Sequence, residues 1–115
     1  MPSKNAAQRL RDILENIDAV AAFTSGMDFE KFHADRKTAY AVVRALEIVS
    51  EASRRLPDDL KERHSDIDWF AIAAAGNVYR HEYEAVDDSL IWHTATKGLA
   101  RLRAAVLAES ESAAE

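Results

Sequence analysis

Apolar residues recur every three or four positions along most of the chain, which is the spacing of helices that bury one face. The first such stretch lies between Asn5 and Phe23, and its large apolar residues are Leu10, Ile13, Leu14, Ile17 and Val20. Gly26 follows and is the residue type that commonly ends a helix. The pattern therefore predicts a first helix over residues 5–23 with one buried face.

A second apolar stretch is broader and predicts a more deeply buried helix. Asp28 can cap this helix, which is expected to run from Phe29 to about Arg55. Its middle, AYAVVRALEIVSEA, is apolar on most sides, which is typical of the central helix of a bundle. Pro57 ends it, and DDLKER over residues 58–63 is expected to form a short helical turn.

The second half of the chain predicts two more helices. One begins near Asp66 or Asp68 and carries IDWFAIAAAGNVYRHEY, whose small residues from Ala73 to Gly76 allow close approach of a helix from this chain or from a partner. Asp87 or Asp88 caps the other. The inner stripe of this last helix consists of Ile91, Ala95, Leu99, Leu102 and Val106.

These elements predict an all-α fold, an antiparallel bundle of four long helices plus a short helical turn. Residues 1–108 form a single domain in this interpretation. The tail at 109–115, ESESAAE, has no large apolar residue and is expected to be frayed or disordered.

Composition narrows the functional classes. The 115 residues include no cysteine, which removes disulfides and cysteine-based metal sites and favours a cytoplasmic location. A net charge of -5 gives no global attraction to nucleic acid, so any RNA binding has to come from a local patch. No apolar run approaches the length of a membrane span, and no membrane association is expected.

Metal binding is poorly supported by the pattern. Glu30 and His33 form one E-x-x-H pair, whereas diiron carboxylate bundles need two such pairs from separate helices. His81 and Glu82 lack the second histidine of a zincin motif. We therefore expect no metal and no other cofactor.

Charged residues at helical spacing favour surface ion pairs. Glu47 and Glu51 lie within one turn of Arg44 and of Arg54 or Arg55. Such pairs are worth roughly 0.3–0.5 kcal/mol each. The alternative is a phosphate-binding surface that includes Arg36 or Arg44, and we favour the ion pairs.

The stretch GNVYRHEY, residues 76–83, places an arginine, a histidine and a tyrosine side by side. Gly76 lies one helical turn before Arg80, and a glycine inside a helix costs roughly 1 kcal/mol relative to alanine. Close helix packing or room for the Arg80 head group would explain it. The simpler explanation of Arg80 and His81 is that both interact favourably with the negative end of the helix.

The region from Trp69 to Trp92 resembles the signature of HEPN-domain toxins of the HepT type. The family pattern runs from a tryptophan through an Arg-Asn-x-x-x-His-x-Tyr core to a valine-aspartate turn and a second tryptophan. Asn77, His81 and Tyr83 match that core in register, and Val86, Asp87 and Trp92 match the turn and the second tryptophan. The stretch FEKFHADRKTAYAVVRALEIVSEASRRLP also resembles the long second helix of the family.

The resemblance implies the toxin of a type VII toxin–antitoxin system, a homodimeric endoribonuclease that needs no metal. Its partner would be an MntA-like minimal nucleotidyltransferase, which silences such toxins by adding AMP to a tyrosine. Carried over by register, Asn77 and His81 belong to the catalytic cleft for RNA and Tyr83 is the modified residue, while Arg80 is the candidate for the cation of that cleft.

One departure from the family pattern concerns the catalytic arginine. The usual register puts that arginine at the position of Gly76, whereas Arg80 here directly precedes His81. One hypothesis is that Arg80 reaches back across Gly76 as a displaced substitute. The competing hypothesis is a catalytically inactive protein that binds a nucleotidyltransferase, and a helical scaffold without a link to RNA is a third class.

Overall fold

The computed structural model describes residues 2–81 and 87–114, and this part of the chain is a helical bundle without a strand. The elements in chain order are α1 (Pro2–Thr24), α2 (Phe29–Ala34), α3 (Arg36–Arg54), α4 (Asp58–Arg63), α5 (Trp69–His81), α6 (Asp88–His93), a π-helical turn (Thr94–Gly98) and α7 (Ala100–Ala114). The all-α prediction is confirmed. No helix in the described ranges has both the length and the apolar character to span a bilayer.

The central helix of the bundle is α3, as the sequence predicts. It packs most extensively against α1 and α5, while α7 packs on α1. One core cluster joins the second half of α3 to α1, α4 and α7. The other joins the first half of α3 to α2 and α6, with Tyr79 of α5 packed against it. Because Tyr79 lies at the end of α5 and packs near the start of α3, these two helices run antiparallel.

The predicted helix from Phe29 to Arg55 is wrong in one respect, because it breaks at Asp35. The Asp35 carboxylate accepts hydrogen bonds from the Thr38 backbone amide at 3.2 Å and from the Thr38 hydroxyl at 2.9 Å. These bonds cap α3 and compete with continuation of α2. Asp28 caps α2 as expected, since it accepts from the Lys31 amide at 2.9 Å.

The predicted last helix has the expected inner stripe but is not a single α-helix. Ile91, Leu102 and Val106 are buried. Between them, the backbone widens into a π-helical turn over Thr94–Gly98 before α7 begins. The extra residue in such a turn shifts the helical phase, so that α6 and α7 can face different parts of the core.

Helix α7 continues to Ala114, through most of the segment for which a frayed tail was expected. Glu109 anchors this end of the chain to α4. Its carboxylate accepts hydrogen bonds from Arg63 Nη2 at 2.8 Å and Arg63 Nε at 3.1 Å, and its Oε2 lies 2.8 Å from His64 Nε2. The Arg63 and His64 bonds hold the pKa of Glu109 at about 2, below its ordinary value of 4.5.

Candidate functional site

The start of α5 is fixed by polar contacts that the sequence predicts in part. Asp68 caps the helix by accepting a hydrogen bond from the Ala71 amide at 3.0 Å. The Trp69 indole donates to the carbonyl oxygens of Lys61 and His64, at 3.2 and 3.1 Å. The first residue of α5 is thereby tied to the end of α4, which fixes where α5 begins relative to α4.

Gly76 is a point of close approach between α5 and α3. Its backbone amide donates to Ser50 Oγ at 3.0 Å, and the Ser50 hydroxyl itself donates to the carbonyl of Ile72 at 2.6 Å. Gly76 is buried, and a Cβ atom built on it would lie 2.7 Å from Ser50 Cβ. Close helix packing, and not room for an arginine head group, is therefore the reason for the glycine.

The burial of Gly76 removes the proposed path for Arg80. The space over Gly76 that the Arg80 head group was expected to occupy is filled by the Ser50 side chain. Arg80 is exposed instead, on the last turn of α5. The hypothesis that Arg80 lies back across Gly76 is wrong, because the face of α5 that carries Gly76 is turned toward α3.

Three of the predicted site residues, Asn77, Arg80 and His81, lie in the part of the chain that the structure describes, and all three are exposed at the same end of α5. Asn77, Arg80 and His81 lie in its last turn and a half. We measure rotation about the α5 axis from Gly76, which faces α3, at roughly 100° per residue. On this scale Arg80 lies at about 40°, Asn77 at about 100° and His81 at about 140°, all in the same direction. Arg80 and Asn77 thus flank the contact with α3, while His81 points further out.

Tyr79 holds the last turn of α5 in this orientation, although the family pattern assigns it no role. It packs against the core cluster around Ile91 and lines a cleft of about 200 Å³ between α3, α5 and the π-helical turn. Burial raises the pKa of Tyr79, and a hydrogen bond with Thr94 acts in the opposite direction. The sequence indicates this position, because Tyr79 follows Gly76 by three residues and helical spacing places the two residues on the same, inner side of α5.

Tyr83, the predicted modification site, lies in residues 82–86, outside the part of the chain that the structure describes. The same holds for Glu82 and Val86 of the family pattern. The flanking elements are described. His81 is the last residue of α5, and Asp87 caps α6 by accepting from the Ser89 amide at 2.8 Å.

The start of α6 is held against α2. His33 Nδ1 lies 2.8 Å from Asp88 Oδ2, and the rings of Phe32 and Trp92 are 5.2 Å apart. Because an ionised carboxylate only accepts, His33 is the donor in this pair. His33 therefore ties α2 to α6, and Glu30, its partner in the E-x-x-H pair, is exposed.

Within residues 2–81 and 87–114, no group of three or more histidine, aspartate or glutamate side chains converges as a metal site would require. The ion pairs predicted on α3 are confirmed. Glu51 accepts from Arg54 at 2.7 Å and from Arg55 at 2.9 Å, and Arg44 lies 3.4 Å from Glu47.

Comparison with known proteins identifies the family. The model of the HepT-like ribonucleases, described as "Ribonuclease HepT-like", matches residues 13–108. The chain belongs to the HepT-like ribonuclease family. The predicted resemblance to HepT-type HEPN proteins is thereby confirmed.

Several curated proteins are similar to this HepT-like chain over most of its length. One is named "Probable ribonuclease HepT" in Thermococcus cleftensis; it is 39% identical over 82% of this chain and 86% of its own. Two proteins of Methanocaldococcus jannaschii, each named "Putative RNase", are both 36% identical, over 80% and 83% of this chain and 76% and 78% of theirs. No solved structure matches this chain.

Proposed function

We propose that this HepT-like chain is the toxin of a type VII toxin–antitoxin system and cleaves RNA without a metal ion. The observation that carries the proposal is the joint exposure of Asn77, Arg80 and His81 at one end of α5 in a chain of a ribonuclease family. These three side chains supply an amide, a cation and a titratable imidazole within two helical turns.

The chemistry that suits these groups is attack of a ribose 2′-oxygen on the adjacent phosphorus. A base removes the proton of the 2′-OH, the bond from phosphorus to the 5′-oxygen breaks, and an acid protonates that leaving oxygen. The products are a 2′,3′-cyclic phosphate and a 5′-hydroxyl. An imidazole can fill either proton role near neutral pH, so His81 takes one of them.

Arg80 and Asn77 act on the phosphate in this proposal. A guanidinium stays charged and matches two phosphate oxygens at once, which favours the charge that develops in the transition state. The Asn77 amide orients the same phosphate. Arg80 reaches it from the flank of α5 and not from the position of Gly76, which faces α3.

A homodimer would complete the cleft, because one chain contributes a single His81. The outer face of α5 supports a second copy: Phe70 is 83% exposed, Ala74 is exposed and Val78 is 38% exposed. These residues are spaced by four, so they form one apolar stripe on the side of the helix where His81 projects. An exposed apolar stripe is typical of a protein interface, and a two-fold contact along it would bring two copies of His81 together.

Control by an MntA-like nucleotidyltransferase is the second part of the proposal. AMP added to the Tyr83 hydroxyl would place a bulky anion two residues after His81, where it would block the cleft and repel RNA. The support is the match of His81, Glu82 and Tyr83 to the H-x-Y pattern of the resemblance.

One observation favours the alternative function, in which this protein does not cleave RNA and acts as a binding partner of a nucleotidyltransferase. The position at which the family register has its arginine is here a buried glycine packed against Ser50. An arginine side chain has no room there, so cleavage depends on whether Arg80 can replace it.

Cleavage of RNA in EDTA by the unmodified protein, His81→Ala and Arg80→Ala separates these functions. We expect cleavage by the unmodified protein and a loss of at least about 100-fold in both variants, for His81→Ala through loss of a general acid or base and for Arg80→Ala through loss of charge stabilisation in the transition state. Full activity of Arg80→Ala would remove its proposed role. If the folded, dimeric and unmodified protein does not cleave RNA, the result would favour the alternative function as a non-cleaving binding partner of a nucleotidyltransferase.

A further inference from the structure

The Ser50 side chain of α3 contacts the backbone of α5 at three places. Its hydroxyl lies 2.6 Å from the carbonyl oxygen of Ile72 and 3.2 Å from that of Ala73, and it donates to these acceptors. The same hydroxyl accepts from the Gly76 amide at 3.0 Å. Ser50 is 3% exposed, so water has little access to these bonds. The contact between α3 and α5 is therefore polar and directional at this point.

The groups that Ser50 contacts belong to the hydrogen-bond ladder of α5 itself. In an α-helix each amide bonds to the carbonyl four residues earlier, so the carbonyl of Ile72 is the regular acceptor for the amide of Gly76. In the same way, the carbonyl of Ala73 is the regular acceptor for the amide of Asn77. The Ser50 hydroxyl bridges the first of these pairs. Insertion of a side chain into the ladder is a known cause of a change in helix direction.

Backbone pairing alone does not require the Ser50 hydroxyl. Without it, the Gly76 amide and the Ile72 carbonyl can bond directly to each other, as they do in a regular α-helix. A buried hydroxyl also costs free energy unless it is hydrogen-bonded, and an alanine at this position would avoid that cost. What the hydroxyl adds is a fixed position of the α5 backbone relative to α3.

The turn beyond this contact carries the proposed reaction site. Asn77, Arg80 and His81 follow Gly76 within about 7.5 Å along the axis, at about 1.5 Å per residue. Atoms at the outer radius of a helix, about 5–6 Å from its axis, move by about 1 Å for each rotation of about 10°. A displacement of about 1 Å can slow an enzymatic reaction by about 100-fold. A small rotation of α5 is therefore sufficient to impair proton transfer by His81.

The other anchors of α5 act further from its backbone or further from the site. The Trp69 indole ties the first residue of the helix to the end of α4, almost two turns before Gly76. Tyr79 packs against the core, and its hydroxyl bonds with Thr94 at the end of a long side chain. Ser50 instead bonds to the α5 backbone directly before the turn that carries the site.

We propose that Ser50 is a positioning residue for RNA cleavage. Its hydroxyl fixes the rotation of the last turn of α5 and thereby aligns His81 with the reacting phosphate, without itself touching RNA. This inference rests on the proposed ribonuclease function and adds a buried residue of another helix to the groups on which that reaction depends.

The test compares RNA cleavage by the unmodified protein, Ser50→Ala and Ser53→Ala in EDTA. Ser53 is the matched control, because it is also a buried serine of α3, at 1% exposed, and its hydroxyl has no hydrogen-bond partner among the residues that the structure describes. Ser53→Ala thus removes the same atom without removing a bond to α5. Circular dichroism first establishes that each variant is folded at the assay temperature, because partial unfolding would also lower activity.

We expect Ser50→Ala to lower kcat by about tenfold to 100-fold and to change KM by less than about threefold. Equal losses in kcat and kcat/KM are the result expected when alignment is lost in the transition state and binding of the substrate is retained. Ser53→Ala should stay within about twofold of the unmodified protein in both constants, because it breaks no hydrogen bond.

NMR spectra that correlate each backbone amide nitrogen with its proton report the geometry without RNA. The amide signals of residues 77–81 should shift in Ser50→Ala and stay in place in Ser53→Ala, because only the first change releases the turn that carries them. Signals of residues 69–71 should shift much less in either variant, since the Trp69 indole still ties the start of α5 to α4.

Full activity of folded Ser50→Ala would overturn the positioning role. Equal losses in the two serine variants would overturn it as well, because they would indicate a general weakening of α3 packing, and so would amide signals of residues 77–81 that stay in place in Ser50→Ala. In each of these cases, cleavage by the unmodified protein that is lost in His81→Ala would preserve the proposed function. A folded, dimeric and unmodified protein that does not cleave RNA would overturn both.

Discussion

The contact between Ser50 and Gly76 sets the geometry of the candidate site at the scale of single residues. One hydroxyl accepts the Gly76 amide at 3.0 Å and donates to the Ile72 carbonyl at 2.6 Å. Because the α5 backbone lies directly against a side chain of α3, the rotation of α5 about its axis is determined there. The exposed positions of Asn77, Arg80 and His81 result from that rotation.

Gly76→Ala should destabilise the protein, although alanine is the better helix former. In a helix without a close neighbour, the change would gain roughly 1 kcal/mol. Here the new methyl group would lie 2.7 Å from Ser50 Cβ, so overpacking should cost about 1–3 kcal/mol net. Denaturant unfolding followed by circular dichroism measures the difference.

Gly98→Ala is the matched control for this prediction. A Cβ atom at Gly98 would meet Thr94 at an ordinary distance of 3.6 Å, so stability should change little or rise. Ser50→Gly in the Gly76→Ala background should recover part of the loss, since it removes the clashing atoms. A Gly76→Ala protein as stable as the unmodified one would show that the helices are not in close contact.

The role of Gly76 could be narrowed but not settled from the sequence. The cost of a glycine inside a helix indicates that something requires it. Its partner, Ser50, lies 26 residues away. Helical periodicity describes one helix at a time and contains no information on which residue of another helix it meets. The correct position of Arg80 was missed for the same reason.

At the scale of elements, Glu109 joins α7 to α4, whereas Glu51 binds arginines of its own region. Hydrogen bonds lower the pKa of each to about 2, from Arg63 and then His64 for Glu109, and from Arg54 and then Arg55 for Glu51. The Glu109 side chain is 15% exposed and that of Glu51 is 36% exposed. The bonds of Glu109 close a long stretch of chain and should contribute more.

Glu109→Gln should lower the free energy of unfolding by about 1 kcal/mol at neutral pH, and Glu51→Gln by about 0.5 kcal/mol or less. Because the pKa of Glu109 is depressed in the folded state, its contribution is complete above its unfolded pKa, near 4.5, and is lost as the pH falls toward 2. The difference in free energy of unfolding between the unmodified protein and Glu109→Gln, measured with urea, should therefore be smaller at pH 3 than at pH 7. An equal difference at pH 3 and pH 7 would contradict the stabilising role of the ionised Glu109 carboxylate.

The outer face of α5 gives a test of the proposed homodimer. Phe70→Glu places a charge at a position that is 83% exposed in the single chain, so the monomer should fold normally. The dimer should dissociate, because a buried unpaired carboxylate is costly, and cleavage should fall with it. Light scattering and circular dichroism measure the two effects.

Phe23→Glu provides the control for the α5 face. Phe23 is also exposed, at 42%, but lies near the end of α1. That variant should remain a dimer and keep its activity. A Phe70→Glu protein with the mass of a dimer would place the interface elsewhere, and an active monomer would contradict a cleft shared by two chains.

Element prediction succeeded where periodicity is strong and failed where a local interaction interrupts it. The buried stripes of α1, α3 and α7 follow from apolar spacing alone. The break at Asp35 and the π-helical turn at Thr94–Gly98 do not. Apolar residues continue at helical spacing through both places, and the cap at Thr38 or the widened turn becomes visible only in the backbone.

At the scale of the whole molecule, the regulatory proposal predicts a change of mass. Co-expression with an MntA-like nucleotidyltransferase should increase the mass of this protein by one or more AMP units and abolish RNA cleavage. Tyr83→Phe, which lacks the accepting hydroxyl, should keep its original mass and remain active. AMP addition to the Tyr83→Phe variant would show that another residue accepts the AMP. If the mass of the protein that retains Tyr83 does not change, the proposal for Tyr83 loses its support.

The family could be predicted from the sequence because the family pattern depends on residue order, and that pattern also selects the candidate residues at the end of α5. The pattern from Trp69 to Trp92 identifies the HepT-like ribonucleases, and the family model covers residues 13–108. The arrangement around the site could not be predicted in the same way. Which flank of α5 carries Arg80 depends on how α3 and α5 pack together.

The most direct test of the central claim is end-group analysis of RNA incubated with the protein in EDTA. Attack by a 2′-oxygen, with His81 moving a proton, predicts fragments with 2′,3′-cyclic phosphate and 5′-hydroxyl ends from the unmodified protein and none from His81→Ala. Fragments with 3′-hydroxyl and 5′-phosphate ends, cleavage that EDTA abolishes, or equal cleavage by His81→Ala would each contradict the account.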